Sequence, residues 1–131
     1  MTTPAVAVPG IETIDHVSVL VADAEAAAGF YQAVLDLVRI DRPALGFPGV
    51  WLHLARGMDL HLLQLPNPDP TAHRPAHGGR DRHVALRVAA TEPFAARLTA
   101  LGWPFTRSYS GRDALFFRDR DGNAWELTAR N

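Results

Sequence analysis

In DHVSVLVAD, residues 15–23, Val17, Val19 and Val21 alternate with His16, Ser18 and Leu20. That period of two predicts a strand with one buried face. The spacing then becomes helical. Phe30, Val34 and Leu35 form an apolar stripe behind Asp23, whose side-chain oxygen can cap free amides of a first turn. The pattern recurs in RHVALRVAATEPFAARL, where Val84, Leu86 and Val88 oppose His83, Ala85 and Arg87. Thr91 is the matching cap, Glu92 and Pro93 suit the first turn, and Phe94, Leu98 and Leu101 supply the stripe. The copies align without a gap: His16 falls on His83, Val17 on Val84, Val19 on Leu86 and Val21 on Val88, always 67 positions apart.

Short extended runs follow each helix: VRIDRP, GVWLHLA and MDLHLLQL in the first half, PFTRSY, ALFFRD and NAWELTA in the second. The last hairpin of each half turns at a glycine, Gly57 or Gly122, as a positive φ requires. From there GMDLHLL and GNAWELT align at an offset of 65, which sets His61 on Glu126. The chain therefore predicts an α+β fold of two β-α-β-β-β modules, about 12–66 and 81–129. The Pro- and His-bearing linker, about 67–80, joins them into one domain.

Composition narrows the chemistry. The 131 residues, 47% hydrophobic, suit one globular domain. No apolar run is long enough to span a bilayer, and the first ten residues lack the pattern of a signal peptide, so a cytoplasmic location is expected. A formal charge of −1 without a basic stripe predicts neither nucleic acid nor membrane as partner. There are no cysteines, so a metal site must use His, Asp and Glu. All 13 basic residues are arginine, which excludes Schiff-base and P-loop lysines.

Face assignment singles out four residues. His16 and His83 stand on the non-helix face of the first strand of each module, while His61 and Glu126 occupy equivalent places in the last strands. If the modules pair by pseudo-twofold symmetry, the four converge. Imidazoles with one carboxylate suit Zn²⁺, Ni²⁺, Mn²⁺ or Fe²⁺ and leave a divalent ion net positive. His73 and His77 are expected to be solvated in the linker, whereas His53 can line the cavity. Trp51, Phe116, Phe117 and Trp125 are candidates for its apolar walls.

IDHVSVLVADAEAAAGFYQAVLDL, RHVALRV and RDRDGNAWELT resemble the vicinal oxygen chelate superfamily across about residues 12–129. The superfamily includes glyoxalase I, methylmalonyl-CoA epimerase, fosfomycin-resistance thiol transferases, extradiol dioxygenases and bleomycin-resistance proteins. The resemblance implies two modules forming a cupped, partly open mixed sheet with helices outside, a homodimer, and His16, His83 and Glu126 as metal ligands. His61 takes the fourth ligand position, where glyoxalase I usually carries a second glutamate. That departure weakens a glutathione-dependent glyoxalase assignment. Arg120 also replaces the usual proline of the closing turn.

The implied activity is that of a lyase or isomerase acting on a small substrate with two neighbouring oxygens. Lewis-acid stabilisation would assist proton transfer, with Glu126 and His61 as catalytic candidates. Ser18, Tyr109 and Arg112 are candidates for substrate contact. The alternatives are a fosfomycin-resistance-like thiol transferase, a ring-cleaving dioxygenase, or a non-catalytic drug- or metabolite-binding protein like those of bleomycin resistance.

Overall fold

Each half of the chain folds into a four-stranded mixed sheet backed by a helix. The computed structural model describes residues 10–129. In the first half, β1 (His16–Leu20) leads into α1 (Ala24–Leu35), followed by β2 (Val38–Ile40), β3 (Gly49–Ala55) and β4 (Met58–Leu63). The second half repeats this with β5 (His83–Val88), α2 (Glu92–Ala100), β6 (Phe105–Arg107), β7 (Ala114–Arg118) and β8 (Ala124–Ala129). The strand orders are β1-β4-β3-β2 and β5-β8-β7-β6, so β1 and β5 are edge strands. Only the β1–β4 and β5–β8 pairs are parallel, the arrangement that a helical crossover permits.

Pairing sets the faces. Ser18 lies opposite His61, and His61 opposite Trp51. In the second sheet Ala85 lies opposite Glu126, and Glu126 opposite Phe116. Cross-strand partners share a face, so each sheet has one side turned to a helix and one open side without a helix, on which Glu126 and Phe116 are nonetheless buried by neighbouring side chains. Leu52, Leu60, Leu62, Leu98, Leu115, Leu127 and Val34 have no exposed surface on the helix side. Burying each such side chain contributes ~1.5–3 kcal/mol. Phe117 and Trp125 belong to this core, whereas Trp51 and Phe116 stand on the open faces. The four aromatics expected to wall a cavity therefore divide into two sets.

Asp23 caps α1 by accepting from the Ala26 amide, as its position suggested. Thr91 does not cap α2. Its backbone is helical and its hydroxyl donates to Asp113 Oδ1 at 2.6 Å, while Pro93 in the first turn has no amide hydrogen that needs a cap. Leu101 is 51% exposed because α2 ends at Ala100, one residue before the predicted stripe does. The linker is tied down: Arg118 donates to the Pro75 carbonyl and to Asp81, and Arg74 donates to Asp81.

Candidate active site

The equivalent positions predicted for a metal set form two pairs. In the second sheet, parallel pairing carries His83 and Glu126 into contact, with His83 Nε2 3.1 Å from Glu126 Oε1. The Asp81 carbonyl can only accept, so His83 Nδ1, 2.8 Å away, carries a hydrogen and Nε2 faces the carboxylate. Arg112 donates to the other oxygen, Oε2, at 3.1 Å. Glu126 is only 4% exposed, so its charge is held by partners and not by water.

In the first sheet His16 stacks on His61 with centroids 4.2 Å apart, and Trp51 stacks on the other face of His61 at 4.1 Å. Asp15 fixes the His16 ring through Nδ1 at 2.8 Å. Burial, and next the nearby His16, push His61 below the usual histidine value, which favours its neutral form. His53 stands on the same face, 3.6 Å from Asp59, and is exposed. Within one chain, the first pair stays apart from the second. Among the described residues no group of three or more His, Asp or Glu stands close enough to hold one ion.

The candidate substrate contacts are dispersed. Ser18 and His83 line a common cavity of about 240 Å³ where the two halves meet. Arg112 reaches the Glu126 carboxylate. Tyr109 is 71% exposed and stacks on His77 at 4.0 Å without touching the carboxylate. Solvation was expected of His73 and His77, and His73 conforms. His77 does not: it is buried, bonded to Thr106 Oγ1 at 2.7 Å and packed edge-on against Phe116, which also packs against His83. The signal was the Gly78-Gly79 pair. A Cβ on Gly79 would lie 2.7 Å from His77 Nε2 and 3.1 Å from Phe116 Cζ, so this turn is built for close approach.

Over residues 13–127 the chain matches the model of the Glyoxalase/Bleomycin resistance protein/Dioxygenase superfamily. The chain belongs to that superfamily. Its similarity to "Glyoxylase I 4" of Arabidopsis thaliana is 31% identity over 123 residues, covering 89% of this chain and 70% of that protein. A variant of the fosfomycin resistance protein FosX from Listeria monocytogenes, solved with Mn(II) and 1S,2S-dihydroxypropylphosphonic acid, superposes with a TM-score of 0.71 at 18% identity. The match covers 92% of this chain and 94% of that one. TnmS3, an antibiotic binding protein from Streptomyces sp. CB03234, superposes with a TM-score of 0.70 at 23% identity over 93% and 98% of the two chains. At these identities the structures share the fold of this superfamily member. They do not transfer their ligands to it.

Proposed function

We propose that this superfamily member is a metal-dependent enzyme of the lyase or isomerase type, acting on a small substrate with two neighbouring oxygens. The supporting observation is the His83–Glu126 contact, with the His16–His61 pair at the repeat-equivalent positions of the other sheet. The donor chemistry fits a divalent ion such as Zn²⁺, Ni²⁺, Mn²⁺ or Fe²⁺. His83 presents one nitrogen beside a carboxylate oxygen, and carbonyl and carboxylate partners orient the second nitrogens of His83 and His16. The lowered basicity of His61 favours the neutral imidazole that a ligand must be. A bound ion would supply Lewis-acid stabilisation of negative charge developing on substrate oxygen.

His16, His61, His83 and Glu126 are the proposed ligands, and a homodimer is how they meet. His16 and His61 of one subunit would face His83 of the partner subunit and Glu126 of the partner subunit. Glu126 is the proposed base, with Arg112 holding its second oxygen and so limiting its rotation. His61, walled by His16 and Trp51, is the second catalytic candidate. Ser18, Tyr109 and Arg112 are the proposed substrate contacts.

The deciding measurement is the metal content of protein purified without chelator. About one equivalent per chain, lost in His83→Ala, supports this reading. Metal below a tenth of an equivalent, with no divalent ion raising Tm or activity, overturns it in favour of a ligand-binding protein without chemistry. Thiol consumption would instead assign a thiol transferase, and oxygen consumption a ring-cleaving dioxygenase.

A further inference from the structure

We propose that Arg87 and Arg112 form an anion subsite beside Glu126, so that the substrate bears a carboxylate, phosphonate or phosphate next to its chelating oxygens. This rests on the proposal that Glu126 and His83 face the substrate. Arg87, Arg112 and Glu126 line one cavity of about 520 Å³, floored by Ala85 and Thr128.

Pairing explains the arrangement. Ala85 lies opposite Glu126 and Arg87 opposite Thr128, so Arg87 is on the same open face, two residues further along β5. Two residues of strand span ~6–7 Å, well within the reach of an arginine side chain. Arg87 has no hydrogen-bond or ion-pair partner among the described residues, so its charge is uncommitted.

Arg112 already holds an oxyanion here. It donates from Nη2 to Glu126 Oε2, while Ser110 Oγ accepts from its Nε at 3.0 Å and orients the guanidinium. Asp113, the other acid on the lining, has Oδ1 engaged by the Thr91 hydroxyl. One of the two arginines is thus free, and the other is held by the carboxylate proposed to work on the substrate. A substrate oxyanion bridging both would use further N–H donors of the Arg112 guanidinium, which has five and gives one to Glu126 through Nη2. A planar guanidinium suits a two-oxygen group, and two of them discriminate against a neutral ligand.

Calorimetric titration of the full chain with methylphosphonate and with acetate tests the subsite, with neutral dimethyl methylphosphonate as control. Saturable binding of either anion, weakened ~10-fold or more by Arg87→Gln and only partly restored by Arg87→Lys, which keeps the charge but not the planar fork, is expected. The tighter anion assigns the phosphonate/phosphate or the carboxylate class. Absence of saturable binding, equal binding of the neutral ester, or indifference to either Arg87→Gln or Arg112→Gln would overturn the proposal. Metal content is measured on the same samples. Arginine-dependent anion binding by protein that takes up no metal defeats only the metalloenzyme proposal. Full metal content without such binding defeats only the subsite.

Discussion

The Tyr31 hydroxyl donates to Asp119 Oδ2 at 2.5 Å, joining the helix of the first module to the closing turn of the second. The same hydroxyl accepts from Trp125 Nε1 at 2.9 Å. Asp119 also accepts from the amides of Asp121 and Asn123 and from Asn123 Nδ2. RDRDGNAWEL is therefore a physical unit, with one buried carboxylate holding its turn and anchoring it to α1. Tyr31→Phe removes a donor and an acceptor from a site with no exposed surface. The expected loss of unfolding free energy is ~1–3 kcal/mol by urea denaturation. A change below ~0.5 kcal/mol would mean that water or a rearranged Asp119 replaces the bond.

Asp119 also makes a pH prediction. Burial pushes its carboxyl above the usual range, although bonds from Tyr31, Asn123 and the turn amides oppose the shift. The folded chain then keeps this proton at a pH where the unfolded chain has lost it. The associated stability is fully present below the unfolded value of ~3.9 and is lost as pH rises through the folded value. Asp119→Asn cannot ionise, and it turns an amide toward the Tyr31 hydroxyl and Asn123 Nδ2. The variant should be less stable throughout, but its deficit should narrow from about pH 4 upward and then level. Thermal unfolding across that range measures the deficit; one that widens with pH would contradict the shift.

The element pattern was legible because alternation and helical spacing are local. Val17, Val19 and Val21 face the helix and His16 and Ser18 do not, as the period of two requires. The β-α-β-β-β repeat was readable for the same reason. Three features depended on distant partners. Thr91 abandons its cap for Asp113, 22 residues away. His77 is buried against Thr106 and Phe116, although its Pro-, His- and Gly-rich surroundings read as a solvated loop. The separation of the histidine–glutamate pair from the stacked histidines depends on how whole sheets associate, which no strand period encodes.

Gly49 begins β3 where the backbone of β4 comes close. A Cβ there would lie 2.6 Å from the Leu62 carbonyl oxygen and 2.8 Å from Arg42 Cζ. Arg42 can move, but Leu62 is paired with Val50 inside the sheet and its carbonyl cannot. Gly49→Ala should cost ~3 kcal/mol or more, measured by urea unfolding, through forced separation of the two strands. Gly46, with open space around it but a φ of +83°, is the informative contrast. Gly46→Ala should cost only the ~1–2 kcal/mol of a left-handed alanine. An equal cost at both sites would remove the steric explanation.

Separation of the two ligand pairs within one chain leads to a complementation experiment. A chain carrying His16→Ala and His61→Ala keeps His83 and Glu126, and a chain carrying His83→Ala and Glu126→Ala keeps the stacked pair. If each site is assembled between two subunits, neither variant alone completes one. Mixed dimers then contain one intact site and one doubly altered site. Random exchange makes half of all dimers mixed, so the mixture should recover about a quarter of wild-type metal content and activity. If the four residues are brought together within a single chain, mixing recovers nothing, because every chain lacks two ligands. Exchange must be allowed to reach equilibrium, which mass spectrometry of the intact dimers would follow. Mixed dimers without recovered metal would count against assembly between subunits, while wild-type protein that stays monomeric at working concentrations would exclude it.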